Sequence, residues 1–298
     1  MSDLHVVGVH GIRQRDTNSL KLAEDWNLAL AEGISLHCGP TSPTPSVISP
    51  YYGDVFPKGR FQLGDDDPSE WLAETDEEQL ELLAQALEAH TPPVLGERPA
   101  AGTLGAPPPV SPRITAALAR IDRRCGPGVG KALLSRVSEV YGYFSAKSKY
   151  EGMADTVRDR VREAVEQSGA SLIIAHSLGS VIVYDMFQRG QIPSDVDGGV
   201  SMLITCGSPL AWLPLRRKLG VRASDELQLP SNVRWLNVFD PNDPVTAGVG
   251  LSAIAPGVTD VAVDNQDDPH AAGRYLEQQP VAAAVHSHMT RGPMLPKG

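Results

Sequence analysis

Three kinds of side chain in this sequence could together activate a hydroxyl. Ser177 stands in Ala175-His176-Ser177-Leu178-Gly179, Asp240 and Asp243 stand in "NVFDPNDPV", and His270 stands in "VDNQDDPHAAGRYL". A serine hydroxyl is a weak nucleophile at neutral pH and needs a base beside it. An imidazole can take its proton and return it to a leaving group. A carboxylate behind the ring fixes the tautomer and stabilises the imidazolium. Such a set suits acyl transfer, in which negative charge grows on a carbonyl oxygen and backbone N–H groups must already point at it. Leu178 N–H is one candidate donor, and the backbone around Gly11-Ile12 is the other.

These residues are useful only if the fold delivers them to one place. Ser171 to Ala175 is short, apolar and partly β-branched, which suits a buried strand. Val181, Ile182 and Met186 then fall at helical spacing, with Gly190 as a stop. Ser177 sits at the join, flanked by the small residues Ala175 and Gly179 that a tight strand-to-helix turn requires. A serine that merely caps the helix would look similar locally. Elsewhere, Leu4 to Val9 reads as a strand ending in His10-Gly11, and residues 20–32 read as a helix closed by Gly33. Residues 45–54 allow a second strand, which Pro50 makes short or places at an edge. Met153, Val157, Val161 and Val165 mark another helix, ended near Gly169. Three further strands are expected in "VSMLITCGSPL", at 233–239 and at 258–265, followed by a final helix over 271–289.

Strands alternating with helices predict a mostly parallel sheet covered on both faces. Chemistry in such folds gathers beyond the carboxyl ends of the strands. There the sequence places a serine, an acid and a histidine after three different strands, in the order Ser…Asp…His. His286 and His288 fall in the final helix, whereas His270 falls on the loop before it, where a base is expected. His10 and His176 flank the site and suit the orientation of loops. Asp240 could instead stop its strand by bonding its own backbone. Tyr51, Tyr52 and Trp212 could line a pocket or simply pack.

The 298 residues suffice for one large α/β domain. A formal net charge of −10 argues against a general nucleic-acid or anionic-membrane binder. Cys38, Cys125 and Cys206 are scattered, with neither metal-ligand spacing nor a disulfide framework, so a reducing, cytoplasmic compartment is expected. The first residues, "MSDLHVVGVHG", read as a strand and not as a signal peptide. No apolar run approaches the ~20 residues of a membrane span. The expected partner is a small molecule, with no metal or organic cofactor.

Residues 55–150 interrupt the pattern. "LGDDDPSEWLAETDEEQLELLAQALEAH" is acidic and contains no Lys or Arg. Thr75 and Glu78 suit a capping box, and Leu80, Leu83, Ala84 and Leu87 form one stripe. A Pro/Gly/Ala-rich loop at 91–110 leads to a basic half, with one helix from Ser111-Pro112 and another over Lys131 to Lys149. Two solvated helix faces that attract each other would explain the charge split. A cover over the site, with Leu133, Val137, Val140 and Phe144 turned inward, is compatible with it.

The segments "VVGVHG", "IIAHSLGS", "CGSPL", "NVFDPNDPV" and "VDNQDDPHAAGRYL" resemble the α/β-hydrolase superfamily, in particular its lipase- and esterase-like serine hydrolases. The resemblance spans 4–12 and 171–289. It implies a single α/β-hydrolase domain over 1–298, a mostly parallel sheet flanked by helices and lacking the first two strands of fuller members, and a helical lid inserted at 55–150. It further implies Ser177 as nucleophile, His270 as base and Asp243 as acid. Ile12 N–H and Leu178 N–H would form the oxyanion hole. The expected reaction is hydrolysis of an ester or thioester through an acyl-Ser177 intermediate. An acyltransferase or cyclase would use the same intermediate, and a catalytically silent scaffold that binds a ligand would keep the fold alone.

Overall fold

A computed structural model describes residues 5–11, 14, 17–56, 77–90, 112–144, 151–194 and 198–291. Six strands form one parallel sheet: β1 His5–Val9, β2 Ser46–Ile48, β3 Leu172–His176, β4 Met202–Cys206, β5 Arg234–Phe239 and β6 Val258–Ala262. Their order is β2-β1-β3-β4-β5-β6. The chain therefore steps outward from β1 to β2 on one side and resumes at β3 on the other. Loops leaving β1 and β3 diverge at that reversal, which opens a crevice at the carboxyl ends of the strands. Register makes the ends level: Val9 pairs with Ala175, and His176 with Cys206.

The strands read as near-continuous apolar runs because both faces are covered. All five residues of β3 are buried, as are all five of β4. Val7, Val9, Ile173, Ala175 and Leu203 point into one core. Val6, Leu172, Ile174, Met202 and Ile204 point into the other.

The second core is closed by α1 Ser19–Cys38 and by the last two helices, α8 Ala272–Glu277 and α9 Gln279–Arg291. The first core carries α2 Glu77–His90, α3 Pro112–Cys125, α4 Val129–Tyr143, α5 Met153–Ser168, α6 Leu178–Gln188 and α7 Leu213–Lys218. Short 3-10 turns follow β4 at Pro209–Ala211 and β5 at Pro244–Thr246. Among the described residues, no helix is long and apolar enough to cross a membrane.

Several expected boundaries move, each for a physical reason. Residue Gly33 does not end α1, which continues to Cys38. A Cβ at Gly33 would stand 2.8 Å from the Leu276 carbonyl, so this glycine is the point where α8 approaches α1. Leu20 is 77% exposed, and Leu22, Trp26, Ala29, Leu30 and Ile34 make the buried face of α1. The final helix is two helices with extended backbone at Gln278 (ψ 142°). Pro280 explains the break, because its ring would meet the carbonyl four residues earlier in a continuous helix. The expected strand at 258–265 is shorter, ending at Ala262. The helix expected over 131–149 is described from Val129 to Tyr143. The capping box at Thr75, the loop at 91–110 and Lys147–Lys149 lie outside the described residues.

The charge split within 55–150 does produce contact. Arg113 on α3 reaches Glu81 and Glu88 on α2, each at 2.5 Å. All three side chains are partly solvent-exposed, so solvent screening leaves such pairs with little to add to stability. Apolar packing holds these helices more firmly, with Leu83, Leu87, Ile114, Ala117 and Leu133 all buried.

Candidate active site

Ser177 is the junction between β3 and α6. Its backbone takes φ 53° and ψ −126°, a region that L-residues rarely enter. Strain of this kind costs about 1–3 kcal/mol and persists only where surrounding structure imposes it. Here the Ser177 amide donates to Cys206 O at 3.0 Å, and its carbonyl accepts from Ser180 N at 3.0 Å. Gly179 lets α6 lie directly on the end of β1, since a Cβ there would come 2.2 Å from Val9 O. Ser180 Oγ donates to the Ser177 carbonyl at 2.5 Å and lies 2.8 Å from Ser208 Oγ, which ties the turn to the loop after β4.

The structure brings Ser177, His270 and Asp243 into one hydrogen-bonded chain. Ser177 Oγ lies 3.0 Å from His270 Nε2, and His270 Nδ1 lies 2.7 Å from Asp243 Oδ2. Asp243 is fully buried and also accepts from Val245 N at 2.9 Å and from Tyr275 Oη at 2.9 Å. A carboxylate surrounded by donors takes the Nδ1 proton as a hydrogen bond, leaving the Nε2 lone pair toward Ser177. His176 Nε2 donates to the His270 carbonyl at 2.9 Å and so holds the loop that carries His270.

Asp240 does not touch His270. It accepts from Asn242 N at 2.7 Å and from Asn265 N at 2.6 Å, joining the loop after β5 to the segment after β6. His288 lies at the opposite ends of the strands, 2.8 Å from Ser171 Oγ and 3.1 Å from Arg234 Nη2. Burial, reinforced by the Arg234 charge, lowers its pKa to about 4. His286 sits within α9, away from the serine loop by sequence and element.

His10 and Gly11 leave β1 beside Ser177. A Cβ on Gly11 would stand 2.9 Å from Ser177 Cβ. His10 Nδ1 donates to the Gly11 carbonyl, and its ring stacks on Tyr52 at 3.8 Å between centroids. Burial lowers its pKa to about 4, so it stays neutral and fixes the loop. Leu178 contributes the first amide of α6, which has no acceptor within the helix. Ile12, the other expected oxyanion donor, lies outside the described residues.

Above Ser177 is a narrow apolar slot of about 10 Å³, bordered by Leu133, Val137 and Val140 of α4 and by Trp212, Leu215 and Val245. Trp212 thus lines the site, while Tyr52 packs on His10. Phe144 is not on the slot; it meets Tyr143 edge-on at 4.9 Å between centroids. The end of α4 is anchored in the core: Tyr143 Oη donates to Asp185 Oδ2 at 3.1 Å, and Arg158 Nη1 is 3.1 Å from both.

Tyr275 escaped the sequence reading. It looks like one more apolar residue of the last helical segment, and only folding brings its hydroxyl to Asp243. Burial and the Asp243 charge push its pKa well up, so it remains a donor. Its oxygen also accepts from Asp240 N at 3.0 Å. Tyr275→Phe is therefore expected to remove one donor from Asp243 and leave a buried amide unpaired, a loss of about 1–3 kcal/mol. Turnover should fall by about tenfold or less, far below the loss from changing Asp243 itself. Thermal melts beside steady-state kinetics test this. A Tyr275→Phe protein with unchanged melting and unchanged turnover would contradict the assignment.

Among the described residues, no group of three or more His, Cys, Asp or Glu side chains is arranged to hold a metal ion. Cys38 and Cys206 are free thiols, and burial pushes the Cys206 pKa well up, which leaves that thiol unreactive. No family model, curated protein or solved structure matches the chain.

Proposed function

We propose that the protein is a serine hydrolase of the α/β-hydrolase type that cleaves an ester or thioester through an acyl-Ser177 intermediate. The observation that carries this reading is the continuous chain Ser177 Oγ–His270 Nε2 and His270 Nδ1–Asp243 Oδ2, at 3.0 and 2.7 Å, ending on a buried carboxylate. Its support is independent in kind: the positive φ of Ser177, and the reversal of strand order between β1 and β3 at whose mouth the serine stands. On this reading β1 is the His-Gly strand.

In the first half-reaction Ser177 Oγ bonds to the substrate carbonyl carbon as its proton passes to His270 Nε2. Asp243 holds the ring and stabilises its positive charge. The carbonyl oxygen, now negative, is received by Leu178 N–H and the backbone after Gly11, for which Ile12 N–H is the proposed second donor. The carbon–oxygen or carbon–sulfur bond then breaks, and the alcohol or thiol leaves with the proton from His270. In the second half-reaction water gives a proton to His270 and bonds to the acyl carbon. The Ser177 ester bond breaks, the serine regains its proton and a carboxylic acid departs.

The helical segment within 55–150 acts on this reading as a lid. Ser177 is only 4% exposed, and the slot above it has room for about one water-sized sphere. An acyl chain can reach the hydroxyl only if α4 yields. Val137→Ala should widen the slot and shift the preference toward longer acyl chains, at a stability cost of about 1–2 kcal/mol from the lost packing. A chain-length series with melts on both proteins tests it. Lower melting with an unchanged chain-length profile would make α4 ordinary core. The reading as a whole is tested by a fluorophosphonate probe, which should label Ser177 and nothing else; an unlabelled, folded protein would favour a silent binding scaffold.

A further inference from the structure

A second recess, of about 300 Å³, opens beside the slot. Its walls come from α3, α4, the loop that carries Asp243 and the loop that carries His270. This is the lower bound of volumes usual for small-molecule sites, roughly 300–1,000 Å³. Leu133 borders both the recess and the slot over Ser177, so the two spaces adjoin at this side chain. The recess lies on the histidine side of the site: Gln266 and Pro269 closely precede His270.

We propose that this recess is the leaving-group subsite, and that it takes a compact amphiphilic alcohol or thiol bearing an anionic group, received by Arg124. The proposal rests on the serine-hydrolase reading and deepens it. A departing oxygen or sulfur must lie within reach of His270 Nε2 to be protonated. The acyl chain belongs to the slot under α4, so the rest of the substrate must extend past His270, toward the recess. Ile121, Leu133, Pro244 and Pro269 offer it apolar surface, and Gln266 offers an amide.

The charge follows from what is already engaged. Of the described lining residues, Asp243 is spent on His270 and Tyr275, and Asp267 faces Arg274 at 3.3 Å. Arg124, at the end of α3, is the lining cation, and it is exposed. On the acidic helix α2, Glu81 and Glu88 are held by Arg113. The one open charge among the described residues of the recess is thus positive, although the whole chain is acidic.

Two esters with the same acyl group separate the ideas: 4-acetoxybenzoate, whose leaving group carries a carboxylate, and phenyl acetate, whose leaving group carries none. Arg124→Gln should raise KM for the carboxylate-bearing ester, relative to phenyl acetate, by about 5–20-fold, the range for losing a charged hydrogen bond at a partly open site. Arg124→Lys should recover most of the difference. In a Ser177→Ala background, calorimetry should show 4-hydroxybenzoate binding, weakened by a similar factor when Arg124→Gln is added. An equal change for both esters, absent 4-hydroxybenzoate binding, or binding indifferent to Arg124 overturns the subsite. If 4-hydroxybenzoate binds through Arg124 but neither ester is cleaved, the recess is an anion-binding site, and its leaving-group role is overturned together with the hydrolase reading.

Discussion

Ser177→Ala is expected to lower ester turnover by about 10⁴–10⁶-fold, the loss seen when the nucleophile of a Ser-His-Asp set is removed. The fold should persist. Removing one oxygen from a side chain that is 4% exposed leaves no cavity of consequence, and alanine can occupy the space. The strained backbone at φ 53° is imposed by Cys206 O, Ser180 and the close contact of Gly179 with β1, none of which the substitution alters. The melting temperature should thus stay close to that of wild type while labelling by a fluorophosphonate disappears. A Ser177→Ala protein with half of the original activity would mean that the hydroxyl is only structural.

The second large effect belongs to His270 and Asp243. In a His270→Ala protein, Ser177 loses its only proton acceptor among the described hydrogen bonds, and both turnover and probe labelling should collapse. Asp243→Asn should yield a folded enzyme slowed by about 10⁴-fold, because an amide can present N–H to Nδ1 and so favour the wrong tautomer. Asp240→Asn separates position from chemistry. Asp240 accepts two backbone amides and does not touch the ring, so its loss should appear first in stability. Kinetics and melts on the three variants check this together. If Asp240→Asn is the silent folded protein and Asp243→Asn is active, the acid has been assigned to the wrong residue.

What the sequence made legible follows from how local each signal is. The turn at Ser177 is written in adjacent residues: a buried run, two small residues and an amphipathic start. Parallel strands buried on both faces also announce themselves as short apolar runs, as in Leu172–His176 and Met202–Cys206. The break at Gln278 was readable in principle from Pro280, but the apolar spacing across it imitates one helix. The full length of α1 was hidden because Gly33 resembles a stop, and only its contact with the Leu276 carbonyl explains it. Phe144 was placed over the site by periodicity alone, whereas packing turned it onto Tyr143. Tyr275 and the Arg158–Asp185–Tyr143 anchor could not be anticipated, since each depends on residues brought together from distant segments.

The most direct test of the acyl-enzyme is intact-protein mass spectrometry after rapid acid quench with a panel of activated esters and thioesters. The account predicts a mass increase equal to the acyl group on wild type, mapped by peptide digestion to the segment containing Ser177. It should be absent from Ser177→Ala and more persistent in Asp243→Asn, where deacylation is slow. Turnover without any adduct on Ser177, or an adduct that survives Ser177→Ala on another residue, would contradict the account.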